Sequence, residues 1–362
     1  MRRIVGLVLV ALGVALIGLA AVLPTFVYPR VAKIPQNPDQ DIVAEGTGIT
    51  ALVPSQVVKG GNGILLNQTV RATRRVVGQI PPNGSKVPQG QAFYQLAFEA
   101  RVIGNPQLKG NEGLLEAYVE GGSFDGDTGE STNCCGDYLN TDPTDPAGKK
   151  ILHEGVLFKF PFRVRQGQSY KFWDVKIKGA VTARYDGTER LMGLQTYRYV
   201  QPITDEVITQ ETVPGALVSQ PDKRTVKADR VYATVRTLWV EPYTGAIIKG
   251  SEQVNQRLVA GGNEVPVISG TLIYTDATVK ALADQYRSSA RGLKFVTKLG
   301  PIGGWVLGPI FALIGLTMLA LSRGESDEWE DDWDGDDGGT RRVRNGGGDE
   351  ADAVDRHSSS GV

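Results

Sequence analysis

The sequence predicts a mainly β fold. A large extracytoplasmic β domain, sandwich- or barrel-like, lies between two transmembrane helices, and a further helix precedes the second span. Three observations predict this. Two apolar runs of 24 residues, Ile4 to Val27 and Leu299 to Ser322, carry no charge. Between them, β-branched and aromatic segments recur at turn-punctuated spacing. After the last of these, the apolar period changes to three and four residues.

Each run, as a helix, would be about 36 Å long and would cross a hydrocarbon core of about 30 Å with some tilt. The first run begins after Met1-Arg2-Arg3. Its length suits an uncleaved anchor better than a cleaved signal, for which Gly18-Leu19-Ala20 would be the processing site. Arg2 and Arg3 place the N-terminus in the cytoplasm, and two crossings return the C-terminus there. The flanks of the second span oppose this, because Arg291, Lys294 and Lys298 lie on its expected outer side. The layout is then residues 1–3 cytoplasmic, 4–27 transmembrane, 28–274 extracytoplasmic β domain, 275–298 juxtamembrane amphipathic helix, 299–322 transmembrane and 323–362 cytoplasmic tail.

Tyr28 to Gln40 is a proline-rich exit from the first span. Strand patterns follow at Leu65–Gly78, Ala92–Ile103, Val156–Phe162 and Ser169–Lys178. On the first of these Val70 and Ala72 share one face, Thr69 and Arg71 the other. An Asp186-Gly187 turn joins Ala180–Tyr185 to Leu194–Gln201 as a hairpin. Val231–Glu241, the turn at Pro242–Gly245, Ser251–Val259 and Val265–Tyr274 complete the β region. Gly110 to Lys150 is dense in Asp, Gly, Asn, Thr and Pro and reads as a long ordered loop.

Thr275-Asp276 caps a helix from Ala277 to Lys298, with Val279, Leu282, Tyr286, Ala290, Leu293 and Val296 on one face. Its basic residues Lys280, Arg287, Arg291, Lys294 and Lys298 are placed for anionic headgroups; the helix would equally cover the β domain. In the second span Gly300, Gly304 and Gly308 recur every four residues, a spacing that admits a close helix partner. Ala11 and Ala15 of the first span offer a small-residue face for it.

The net charge of −1 hides a split. The tail from Gly324 carries 13 acidic residues and 4 arginines, leaving the rest of the chain at +8. Trp329 and Trp333 interleave the acids, so the tail is a solvating segment or a handle for a basic partner.

Chemistry is sparse. Only two histidines and two cysteines are present, and no nucleophile elbow, P-loop, zinc spacing or dinucleotide fingerprint occurs. Neither enzyme activity, metal nor cofactor is expected, and nucleic acid is not an expected partner. His153-Glu154 reads as a surface pair, and Asp125 to Glu130 as a polar turn. Adjacent Cys134 and Cys135 cannot frame a fold by long-range bridges; they form a strained vicinal disulfide, an intermolecular bridge or a redox element.

Several stretches together carry a resemblance: the N-terminal run through Arg30, NCCG at Asn133–Gly136, RYDGTE at Arg184–Glu189, LWVEPYTGAIIKG at Leu238–Gly250, and the terminal helix with its span. They resemble the actinobacterial two-pass envelope proteins labelled "PorA-family porin", whose ectodomain is a domain of unknown function. The resemblance covers nearly all the chain except the acidic tail. It implies a role in envelope integrity and, in mycolic-acid bacteria, in lipoglycan maturation. The expected partners are therefore membrane lipids or lipoglycan and envelope-biosynthesis proteins. The two-span plan is also similar to class B scavenger receptors, whose ectodomains carry lipid through a tunnel. A membrane barrel, by contrast, needs lipid-facing strands with aromatic girdles, and the spans here are helical. The leading expectation is a non-enzymatic lipid or lipoglycan binder; a scaffold for envelope-building enzymes is the alternative, with a porin or envelope hydrolase third.

Overall fold

The computed structural model describes residues 1–82, 84–142, 144–145 and 148–322. The acidic tail, with Trp329 and Trp333, lies outside the described residues. Two compact units result: one joins residues 1–12 to the stretch from Ile310, the other runs from Gly13 to Pro309.

The chain starts with α1 (Arg2–Val22), a widened π turn (Leu23–Val27) and α2 (Tyr28–Val31). Pro24 accounts for the widening, since it has no amide to donate and its ring crowds the carbonyl one turn back. The β region holds β1 (Asp39–Leu52), α3 (Pro54–Val58), β2 (Ile64–Gly78), β3 (Gln91–Ile103), β4 (Leu114–Asp125), β5 (Tyr138–Asn140), β6 (Lys149–Lys150), β7 (Tyr170–Asp174), β8 (Gly179–Leu191), β9 (Leu194–Pro214), β10 (Thr225–Val240), β11 (Ile247–Ala260) and β12 (Asn263–Tyr274). Then come α4 (Asp276–Lys294), a second π turn (Phe295–Leu299) ahead of Pro301, and α5 (Gly300–Leu321). Both helices pass the length and apolarity needed to cross a membrane.

Among the described residues, the twelve strands form one antiparallel sheet in the order β6-β5-β4-β3-β2-β1-β12-β11-β10-β9-β8-β7. The mainly β class is as the sequence predicts; the architecture is one open sheet, two six-stranded meanders joined where β1 pairs with β12, rather than a two-sheet sandwich. Its margins approach each other through isolated bridges: Phe124 with Ser131, Glu130 with Val156, and Val156 with Phe172. The amides of Ser131 and Val156 donate to Gly155 and Lys171 across this gap. So the sheet curls toward a barrel at one level without a closing ladder.

Three expectations need correction. Val156–Phe162 is not a strand; only Val156 bridges, and the rest turns away to meet the Pro242–Gly245 turn, where Phe160 and Val164 amides donate to Gly245 and Pro242. Gly110–Lys150 is not all loop, because β4 occupies its first half and pairs with β3. Asp186-Gly187 is a bulge inside β8, and the hairpin turns at Met192-Gly193, both with positive φ. Glycine serves a bulge as well as a turn, and a two-residue loop with both φ positive fits the strand twist better.

Helix α4 is capped as expected, with the Thr278 amide donating to Thr275 Oγ1 at 3.3 Å. It lies on the sheet: Val279, Ala283 and Ala290 are buried with Leu194, Ala246 and Ile248.

Candidate functional site

Strand alternation places every second residue inside the curl. On β2 the inward set is Ala72, Arg74 and Val76; on β10 it is Tyr232, Thr234, Arg236 and Leu238; on β11 it is Gly250, Glu252 and Val254. Most of these are apolar or small. The charged ones meet in the interior.

Arg236 donates to Asp174 Oδ2 at 2.7 Å, to Glu252 Oε1 at 3.3 Å and to Gln201 Oε1 at 2.9 Å. The Tyr232 hydroxyl lies 3.2 Å from Asp174 Oδ2 and 3.1 Å from Glu252 Oε1 and shares its one proton between them. Asp174 Oδ1 accepts the Lys176 and Ile177 amides. Burial alone would raise the Glu252 carboxyl, but the charges of Arg236 and Arg74 outweigh it and hold the group down at about 2. Lys176 pairs with Glu116; burial, aided by the like charge of Arg230, depresses its ammonium to about 7.

Above this cluster lies a cavity of about 230 Å³. Its walls are mainly apolar, with Ile42, Val76, Leu96 and Trp173 from the sheet and Phe158 and Phe162 from the loop before β7, but Lys33, Arg74, Glu120, Lys159 and Arg236 also line it. The segment Val31–Pro38 and the α4 residues Leu282, Tyr286 and Leu293 complete it. Tyr94 donates its hydroxyl to the Pro35 carbonyl, and Gln40 to the Tyr286 hydroxyl, which tie these pieces together. A second cavity of about 50 Å³ lies further into the sheet. Ile42, Arg74, Arg236 and Tyr274 line both.

Beside the first cavity is a second polar cluster. The His153 ring faces Asp137 Oδ2 at 2.8 Å through Nδ1 and Glu120 Oε1 at 3.2 Å through Nε2. Trp173 Nε1 donates to the same Glu120 oxygen at 2.7 Å. Burial would depress the imidazole, but the hydrogen bonds to Asp137 and Glu120 outweigh it and raise it to about 9. His153 is thus a buried cation between two carboxylates, not a surface partner of Glu154 as its sequence neighbour suggests. The NCCG turn builds this cluster. Asn133 clamps the His153 backbone, accepting from its amide and donating to its carbonyl, and Ser123 Oγ accepts the Cys134 amide while donating to Asp137. Cys134 and Cys135 are joined as a vicinal disulfide.

The other sequence-derived positions fall as follows. Arg291, Lys294 and Lys298 are exposed. Lys280 pairs with Asp284 on its own helix and stays exposed, whereas Arg287 donates to the Met192 carbonyl and pairs with Asp284, so of these two only Arg287 is engaged at the β domain. In the larger unit, a Cβ added at Gly304 would stand 2.5 Å from the Leu16 oxygen, and one at Gly308 2.5 Å from Ile17 Cγ1. Gly300 similarly abuts Leu23. In the smaller unit Gly315 meets Gly6 and Val10. The first-helix partners are therefore Gly13 and Ala20, seven residues apart, in the larger unit and Gly6 in the smaller, while Ala11 and Ala15 are exposed. A seven-residue step keeps one seam of a helix facing its partner, which a four-residue step does not do over several turns. Asp125 Oδ1 accepts the Asp127 and Thr128 amides, as a polar turn does, and no group of three or more metal-ligating side chains occurs among the described residues.

Arg74, Arg236, Glu252, Asp174 and Glu120 were missed by sequence reasoning. A signal for Arg74 existed: continuing the Val70, Ala72 face by one step lands on it.

Two relatives match most of the chain. A Porin PorA of Corynebacterium amycolatum is 24% identical over 393 residues, covering 89% of this chain and 98% of its own. A Porin PorA of Corynebacterium resistens is 21% identical over the same share of each chain. The family described as Porin PorA matches residues 5–317, which with the two apolar helices makes this chain a membrane-associated envelope protein belonging to the Porin PorA family.

Proposed function

We propose that this is a two-pass, N-in/C-in protein of the cell membrane whose β domain, outside the cytoplasm, binds the acyl portion of a membrane lipid or lipoglycan without catalysing a reaction. On this reading it supports envelope integrity or lipoglycan maturation. The observation that carries it is the cavity between α4, the Val31–Pro38 segment and the sheet. Lipid sites are apolar and concave, and this one adjoins the points where both spans join the β domain. Its volume of about 230 Å³ is below the roughly 300–1,000 Å³ of sites that enclose a whole drug-sized ligand. It suits a chain segment with the remainder left at the membrane face. Exposed Arg291, Lys294 and Lys298 lie beside that face, where each cation adds about 1 kcal/mol of attraction to an anionic surface.

Native mass spectrometry of the full-length protein, extracted from its own envelope in mild detergent, tests this. The expected result is a stoichiometric adduct of lipid or lipoglycan mass. A bare mass, with no uptake from envelope extract, would overturn lipid binding and favour a scaffold that holds envelope-biosynthesis proteins.

The relatives' name supports a second reading, passage of solutes. The sheet favours it less. Its outer face carries exposed pairs such as Arg71–Glu45 and Arg75–Asp39, unlike the apolar band of a lipid-facing barrel, and the Arg236 cluster fills the interior. Planar-bilayer conductance from the purified chain would establish passage.

A further inference from the structure

We propose that the inner end of the cavity, at Arg74, is an anion site that takes the head of a single-chain anionic amphiphile, a carboxylate or a phosphate monoester, with the chain running along the apolar wall toward α4. This rests on the reading of the cavity as an acyl-chain site and names the class of chain it takes.

The argument is one of unanswered donors. Arg74 lies four residues inside the end of β2 at Gly78, about 13 Å by strand rise. It pairs in register with Ile42 and Phe98 in the middle of the sheet. A half-buried guanidinium offers five N–H groups, and those turned away from bulk water are costly unless they are met. Arg74 meets almost none. Its ion-pair partner Glu252 Oε2 stands at 3.8 Å, beyond hydrogen-bond range, the Phe98 ring lies 5.7 Å away, and among the described residues it makes no hydrogen bond. It keeps 29% of its side-chain surface accessible, and that surface faces the two cavities it lines.

Glu252 does not turn to meet it for a reason: its Oε1 is already held by Tyr232, Thr234 and Arg236. Arg236, almost wholly buried, has an Nε with no partner. Two hydroxyls share the same end. Tyr118 and Tyr274 line the cavity, and neither makes a hydrogen bond among the described residues. Gly250 leaves room for the Tyr274 ring, since a Cβ there would stand 2.8 Å from Tyr274 Cε1. Burial is the main cause of the depressed Lys176 ammonium, and the like charges of Arg230, Arg74 and Arg236 add to it while Glu252 opposes it.

A neutral polar head would leave most of these donors unmet. A carboxylate or phosphate offers several acceptor lone pairs to a planar fork, which is the geometry guanidinium binds best. A free anion would satisfy the donors but leave the apolar wall from Leu96 to Leu293 empty. An amphiphile satisfies both.

The test uses the delipidated full-length protein in amphipol at pH 8. Decanoate, decyl phosphate, 1-decanol and inorganic phosphate are each titrated by calorimetry. At least one of the two anionic amphiphiles is expected to bind ten times or more tighter than decanol; which of them does so tells carboxylate from phosphate. Arg74→Gln is expected to bring that anion to within about threefold of decanol while leaving decanol unchanged. This substitution removes no protein hydrogen bond, and the wild-type preference stands as a test whether or not the variant folds. Equal affinity of anions and decanol in the wild type would overturn the anion site and leave the chain site intact. Inorganic phosphate binding as tightly as decyl phosphate would overturn the amphiphile. If none of the three chain compounds binds, the acyl-chain reading itself fails.

Discussion

Neighbouring positions on β2 place Arg75 and Arg74 on opposite faces of one sheet. Arg75 reaches Asp39 at 3.1 Å, with both side chains more than half exposed. Arg74 points inward, toward Glu252, Arg236 and Asp174. Outside, water screens the pair and each partner has solvent as an alternative; such bridges contribute about 0–1 kcal/mol. Inside, there is no alternative partner, so a missing group leaves a buried charge unanswered. One step of a two-residue period therefore separates a solubility device from a binding or stability device. The same amino acid serves both, and only its face tells them apart.

The comparison can be broken first at Asp174. This fully buried carboxylate holds Arg236, Tyr232 and two loop amides. Asp174→Ala is expected to destabilise the β domain by about 3–5 kcal/mol, read as a fall in thermal midpoint by near-ultraviolet circular dichroism of the full-length protein. A loss below about 1 kcal/mol would mean the interior behaves like the surface.

The second prediction concerns pH. His153 is raised from 6.5 to about 9 in the folded protein. A raised folded value means its contribution is complete below about 6.5 and lost as pH rises through about 9. That shift corresponds to about 3 kcal/mol at most. Wild-type stability should fall between pH 7 and 10, and His153→Gln should flatten the fall; parallel slopes for the two proteins would refute it.

Smaller effects sharpen the boundary. Tyr232→Phe removes the one hydroxyl proton shared between the Asp174 and Glu252 carboxylates and keeps the ring; about 1–3 kcal/mol is expected in the same melt. Arg75→Ala should cost less than about 1 kcal/mol, and less still in 0.5 M salt, where exposed charges are screened. A larger loss for Arg75 than for Tyr232 would reverse the comparison.

How much of this was legible follows the range of the interactions. The two apolar helices, the α4 cap and the β2 and β3 boundaries are local patterns and were readable. So was the position of the RYDGTE glycine as a special backbone site, though its role as a bulge depends on β9 across from it. The surroundings of His153 were not readable, because its partners come from β4 and from the NCCG turn, 33 and 16 residues away. Arg74 is intermediate. Its face was implicit in the alternation of Val70 and Ala72, but its lack of a hydrogen bond depends on how Tyr232, Thr234 and Arg236 share Glu252 Oε1.

The strand order also has a consequence for how the domain comes into being. β1 finds β2 at once, but its other neighbour is β12, and Ala44 must wait for Tyr274. A chain made from its N-terminus exposes that free edge until nearly the whole domain has emerged. Sheets assembled from such distant pairings fold slowly, and an unpaired edge invites the wrong strand. The β1–β12 seam is thus the last stitch, and the interval before it closes is when a chaperone or a neighbouring copy has its opportunity.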